Sequence, residues 1–316
     1  MSVFDQPRFV DCGSVTLATF EMGTGDPVIF CHGFPELAYS WRYQLPAIAA
    51  AGYRAIALDM RGYGASDKPE GVAAYRQSEL IADLDGLLDA MGCDAAYWVG
   101  HDWGALLLWQ YALIRPERIK ALINLNIPFA PRRERDPMVV TREVLGDDFY
   151  IINFQDSDEA DKTFDADPRK FLRAMYRRLP ATRAAFEAVR PKDRQAFSML
   201  REMQKNPLPG TALMSDADLD YYVRAFAASG FTPAINWYRN WSRNWRDTAD
   251  VEQKVTVPTR FIGAEDDILI SEEHIETMRR YVQDLDVTVL QNCGHWTQQE
   301  HPESVNALII DWIGRH

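Results

Sequence analysis

Short apolar and aromatic runs, recurring between helix-like segments, narrow the possible folds of this chain more than any other feature. The first 125 positions contain five: an opening hairpin strand over Ser14 to Met22, then PVIFC (27–31), RAIALD (54–59), AYWVG (96–100) and ALINL (121–125). Near-continuous apolar runs of this length suit strands buried on both faces, as in a mostly parallel sheet covered by helices. Between them Ile81, Leu84, Leu88 and Met91 recur at three- and four-residue spacing, marking one buried face of a helix with Ser78 as its expected cap. The rhythm is βαβ, and the fold class it predicts is α/β.

After Pro128 the rhythm breaks. From about Ala130 to Arg246 the chain is charged, aromatic and helix-like, with 3.6-residue periodicity in ADPRKFLRAMYRRL and DADLDYYVRAFAAS and no strand candidates. Strand-like runs return with VPTRFIGAED (257–266) and VTVLQNCGHW (287–296), and an amphipathic helix starting near Pro302 closes the chain. The expected organisation is a catalytic core in two parts, 1–129 and 251–316, interrupted by a helical cap over 130–250.

With 316 residues, 47% of them hydrophobic, the chain can bury a large core. Its 34 basic and 46 acidic residues leave a net charge of −12, and no Lys/Arg-rich run offers a surface for nucleic acid or anionic membranes. A small uncharged ligand fits this balance better. Cysteines 12, 31, 93 and 293 show neither paired nor zinc-site spacing, so reduced thiols are expected and no metal. The opening MSVFDQPRFVDCG lacks the pattern of a secretory signal, and no apolar run approaches the ~18 residues needed to span a bilayer. A cytoplasmic location is the expectation.

The sharpest local signal is Gly100-His101-Asp102-Trp103-Gly104, which ends the run AYWVG and opens the helix-like ALLLWQYAL. A strand turning abruptly into a helix strains the corner residue and needs small neighbours, which Gly100 and Gly104 supply. The corner side chain then projects free of the sheet with helix N–H groups beneath it. Here that residue is Asp. A carboxylate, ordinarily titrating near ~3.9, needs no deprotonation at neutral pH and can attack a saturated carbon to form an alkyl ester. Asp near a helix start also serves a simple tight turn, so the motif gains weight only with partners.

An ester needs a base to activate water. Of the six histidines, His295 in Asn292-Cys293-Gly294-His295-Trp296 alone follows a late strand run, and imidazole titrates where a base is useful. The orienting acid is expected in Gly263-Ala264-Glu265-Asp266-Asp267, after the cap and before the histidine. Nucleophile, acid and histidine then occur in the order that hydrolase folds of this kind impose, but spacing does not choose between Asp266 and Asp267. Two backbone amides should hold the ester oxyanion: that of Trp103, and that of Phe34 in His32-Gly33-Phe34-Pro35. Phe34, Pro35 and Trp103 are also the expected pocket wall.

Together these segments resemble the soluble epoxide hydrolases of the α/β-hydrolase superfamily over nearly the whole chain. The resemblance is carried by HGFPE and SWRYQ (32–36, 40–44), LDMRGYGASDKP (58–69), GHDWG (100–104), NIPF (126–129), GFTPAINWYRNWSRNW (230–245), GAEDD (263–267) and CGHWTQQE (293–300). It implies an α/β-hydrolase fold with an inserted helical cap, Asp102 as nucleophile, Asp267 as acid and His295 as base. It further implies that Tyr238, in NWYRN, and Tyr150, in FYIINFQD, hold the epoxide oxygen. The implied reaction converts a small apolar epoxide to a vicinal diol without metal or organic cofactor, by a monomer or homodimer.

The rival enzymatic reading is a haloalkane dehalogenase, which shares the Asp nucleophile but holds halide with side-chain N–H donors. Trp103 offers one such donor and Phe34 none, while Trp237, Trp241 and Trp245 keep the alternative in view. A non-catalytic binding module would have no need of nucleophile, base, acid and oxyanion loop together.

Overall fold

All seven apolar runs become strands of one eight-stranded sheet in the computed structural model, which describes residues 2–178, 188 and 197–316. The strands are β1 (Arg8–Asp11), β2 (Thr16–Met22), β3 (Pro27–Cys31), β4 (Arg54–Asp59), β5 (Ala96–His101), β6 (Ile119–Leu125), β7 (Thr259–Ala264) and β8 (Leu285–Leu290). Their spatial order is β1-β2-β4-β3-β5-β6-β7-β8. The six from β4 to β8 run parallel, whereas β2 is antiparallel to both β4 and β1. Every residue of β3, β5 and β7 is buried, as the unbroken apolar runs require. Strand β1 lies outside the sequence expectation because Val10 is its only buried residue, which leaves no apolar alternation to read.

The chain divides into two compact units, Met1–Asp67 with Leu80–Pro131 and Asp250–His316, and Lys68–Glu79 with Arg132–Ala249. In the first, Cys31 pairs with Gly100, Gly100 with Asn124, Leu125 with Ile262 and Ala264 with Leu290. The carboxyl ends of the parallel strands therefore finish nearly level, and the loops that leave them emerge along one edge, where open α/β sheets build their sites. Helices α1 (Gln44–Ala50), α2 (Gln77–Met91) and α3 (Trp103–Ile114) follow within this part of the chain. Eight of the twelve residues of α3 are buried, including Leu107, Leu108, Trp109, Tyr111 and Ala112, and its less buried stripe of Leu106, Gln110, Leu113 and Ile114 is itself mostly apolar, so little polar pattern is left to read. The helix Pro302–Ile313 closes the unit with Pro at its first position, as expected.

The second unit takes in Lys68–Glu79, which the sequence reading placed with the first part of the core. The Asn240 side chain donates to the Val72 carbonyl at 2.6 Å, and the Gln77 amide donates to Asn244 Oδ1 at 2.9 Å. The second bond also explains why α2 starts before Ser78: the side chain that meets its first amide comes from Asn244, distant in sequence. The described residues in the rest of the unit are mostly helical, with Tyr150–Asp156, Glu159–Ala166, Pro168–Met175, Asp216–Ser229 and Thr232–Arg239 gathered on a phenylalanine cluster. Phe164 stacks on Phe171 at 3.7 Å and Phe226 on Phe231 at 4.4 Å, each such pair adding about 0.5–1.5 kcal/mol beyond its buried area. A two-residue antiparallel pair, Arg177–Arg178 with Thr211–Ala212, departs from the all-helical expectation and is too short to leave a period in the sequence. Among the described residues no helix is long and apolar enough to cross a membrane.

Helix α3 meets β3 so closely that a Cβ at Gly104 would overlap the main-chain carbonyls of Cys31 and His32. Gly104→Ala is therefore expected to cost about 1–3 kcal/mol through overpacking against rigid backbone. Chemical denaturation reads this directly, and an unchanged midpoint would contradict so close an approach.

Candidate active site

Asp102 occupies the single residue between β5 and α3, with φ 50° and ψ −117°. A non-glycine residue in this region carries a cost of order 1–3 kcal/mol and persists only where the surroundings dictate it. They do so through glycine. A Cβ at Gly100 would come within 2.8 Å of the Ala105 nitrogen and of Leu108 Cδ1, and one at Gly33 would overlap the Asp102 carboxyl itself. The carboxyl therefore projects beside the loop after β3, where the Phe34 amide donates to its Oδ1 at 2.8 Å. Trp103 is the first residue of α3, and Phe34, Pro35 and Trp103 are all buried around this corner.

His295 lies on the loop after β8, and its Nδ1 meets Asp267 Oδ2 at 2.8 Å. Its Nε2 points to the other carboxylate, 3.8 Å from Asp102 Oδ2, an ion-pair separation too long for a hydrogen bond. Asp267 is 3% exposed, and its oxygens also accept from the Asn126 side chain at 2.8 Å and the Leu269 amide at 2.9 Å. Burial alone would raise its pKa, but His295 and these donors outweigh it and hold the carboxyl below its ordinary range. For His295 burial alone would lower the pKa; the carboxylates of Asp267 and Asp102 reverse this and raise it to about 9. Asp266 is only half-buried, so of the two acids the one that faces the imidazole is Asp267.

A second carboxylate–imidazole pair lies beneath. His101 Nδ1 meets Glu36 Oε2 at 2.6 Å, and His101 Nε2 meets the main-chain carbonyl of His295 at 2.7 Å. Both partners of the ring are oxygen acceptors, one a carboxylate and the other a main-chain carbonyl. Glu36 is completely buried; it also accepts from the Gly33 amide at 2.9 Å and from Gln298 at 2.8 Å. Burial would raise its pKa, yet His101 beside it brings it down to about 2. The sequence reading gives His101 no role, yet its ring holds the backbone of the base. Glu36 and Asn126 were likewise not singled out, although both stand in the motifs HGFPE and NIPF.

In the helical unit, Tyr150 opens one helix and Tyr238 lies near the end of another. Their ring centroids are 5.9 Å apart at 76°, and Phe154 packs edge-on against both, at 5.6 Å and 5.1 Å. The fold thus brings the two tyrosines together from positions 88 residues apart in sequence (238 − 150).

Residues 26–302 match the family model described as the alpha/beta hydrolase fold. Epoxide hydrolase A of Mycobacterium tuberculosis is 40% identical over 314 residues, covering 97% of this chain and 96% of that protein. The crystal structure of epoxide hydrolase A from Mycobacterium thermoresistibile superposes with a TM-score of 0.87 at 37% identity, covering 98% of both chains. An epoxide hydrolase from an endophytic Streptomyces gives a TM-score of 0.88 at 38% identity, over 98% of this chain and 95% of that one. The α/β-hydrolase architecture is thus shared over nearly the whole chain, and the chain belongs to the epoxide hydrolases of the α/β-hydrolase superfamily.

Removing one partner of a buried hydrogen bond leaves the other group unsatisfied, at about 1–3 kcal/mol. Glu36→Ala is expected to lose stability on that scale in chemical denaturation. A loss under about 1 kcal/mol would show that the Glu36–His101 pair is not what holds this region.

Proposed function

We propose that the chain hydrolyses small apolar epoxides to vicinal diols through a covalent ester on Asp102. The observation that carries this reading is the single line of contacts from the Phe34 amide through Asp102 and His295 to Asp267. An Asp102 oxygen forms a bond to a ring carbon as the ring C–O bond breaks, and the freed oxygen takes a proton from Tyr150 or Tyr238. An ordinary phenol, with a pKa near ~10, keeps that proton at pH 7 until it is needed. The amides of Phe34 and Trp103 stabilise the oxyanion of the later step. The residues over 130–250 act as the cap that brings the tyrosines to the substrate, in a monomer or homodimer of the cytoplasm.

Charge loss at Asp102 is what converts His295 into a base. Burial presses the imidazole towards its neutral form, and the flanking carboxylates hold the proton on. Esterification removes one of those charges, so the proton leaves and, through solvent, restores the phenol. The neutral imidazole then takes a proton from water as that water adds to the ester carbonyl. Collapse breaks the acyl C–O bond, the departing diol oxygen receives that proton, and the water's second proton passes from the released carboxyl to His295, which restores the starting charges while Asp102 keeps one oxygen from water.

A single turnover in heavy-oxygen water should therefore place label in the peptide carrying Asp102, read by mass analysis. Label found only in the diol would mean direct attack by water and would refute the ester. Asp102→Ala should abolish turnover, and His295→Gln should trap the ester, slowing its hydrolysis about 10²–10⁴-fold. Release of chloride from a chloroalkane at a rate matching diol formation would instead favour dehalogenation.

The pH dependence has a definite sign. Ester hydrolysis needs neutral His295, so its single-turnover rate should rise with pH, and the midpoint should lie below the value of about 9 that holds while Asp102 is charged. A midpoint at or above 9 would contradict the role given to the lost charge.

A further inference from the structure

The side chain that follows Tyr238 makes an unusually complete set of bonds. An arginine guanidinium has five N–H donors in a fixed fork, and all five of Arg239 are directed at acceptors. Nε donates to the Phe154 carbonyl at 2.9 Å; one terminal nitrogen donates to Asp161 Oδ1 at 2.9 Å and Asn236 Oδ1 at 3.1 Å; the other donates to Asp161 Oδ2 at 2.7 Å and the Ser157 carbonyl at 3.0 Å. Two of these acceptors, the carbonyls of Phe154 and Ser157, belong to the carboxyl end of the helix that Tyr150 opens. Such carbonyls have no partner within their own helix and favour a cation. The return contact comes from that helix: Gln155 donates to the Tyr238 carbonyl at 2.7 Å.

We propose that Arg239 and Gln155 are positioning residues that fix the distance between the two phenols, an inference that rests on the tyrosine pair acting on the epoxide oxygen. Helix Tyr150–Asp156 is only two turns long and helix Thr232–Arg239 only slightly longer, too short to hold a register by their own backbone bonds. The Phe154 ring packs against both tyrosines, but aromatic contacts slide at little cost. The bidentate Arg239–Asp161 pair, with Asp161 buried, resists sliding because its two parallel bonds must break together. Two donors that must meet one oxygen lose rate steeply with misplacement, about 10²-fold for ~1 Å. The bonds of the clamp run among residues of this helical unit and involve neither Asp102 nor His295, so its effect should be confined to ring opening.

The test separates the two chemical steps in rapid-quench single turnovers and uses Tyr238→Phe as reference. Arg239→Lys keeps a charge opposite Asp161 but cannot form the fork; it should slow ester formation about tenfold or more while ester hydrolysis stays within about twofold. Gln155→Leu, which leaves the ion pair in place, should slow ester formation in the same direction and decides the matter if Arg239→Lys does not fold. In a Tyr238→Phe background either change should lose most of its effect, since there is one phenol left to place. Equal slowing of both steps, an unchanged rate of ester formation in both variants, or the same fold-loss with and without Tyr238 would each overturn the proposal. Ester formation undiminished in Tyr238→Phe itself would show that the tyrosine reading has failed, and the positioning role would fall with it.

Discussion

The backbone at Asp102 turns from strand to helix within a single residue, and the arrangement of the core follows from keeping that corner in place. A positive φ at a residue with a Cβ is a local cost that nothing at Asp102 itself repays. Gly104 admits α3 against the carbonyls that end β3, Gly100 lets the strand pass the helix's first turn, and Gly33 leaves space for the carboxyl. Each is a place where one methyl group would push rigid main chain apart. The level ends of β3, β5, β6, β7 and β8 then bring the Phe34, Asp102, Asn126, Asp267 and His295 segments to one edge, from sequence positions spanning most of the chain.

The electrostatics of that edge rest on two stacked pairs. Glu36 with His101 and Asp267 with His295 repeat one motif, and they are joined where His101 meets the main-chain carbonyl of His295. The imidazole at 295 is therefore constrained twice, its ring by one carboxylate and its backbone through the other. Both acids are buried and both are held on the ionised side by the neighbouring ring, against the direction burial would impose. Preorganisation of this kind leaves little to rearrange when charge moves.

Much of the core was legible because buried parallel strands leave unbroken apolar runs, and the elbow because only glycine tolerates such approach. What escaped did so for identifiable reasons. Strand β1 has a single inward residue; the start of α2 depends on Asn244, distant in sequence; and the Arg177–Arg178 pairing is shorter than any period. Three consecutive acids follow β7, and which one turns inward is a matter of loop geometry: Glu265 is exposed and accepts from the Asn292 amide, while Asp267 faces the ring. Glu36, Asn126 and Arg239 look like ordinary polar loop or helix residues until their partners His101, Asp267 and Asp161, 65, 141 and 78 positions away, are placed beside them.

The five loops of the catalytic edge leave the sheet independently, each anchored to its own strand. One loop can lengthen, shorten or change its side chains while the strand register beneath the other four is untouched. Divergence of substrate preference is then separable from the integrity of the scaffold, and new chemistry can be explored one segment at a time on an unchanged frame.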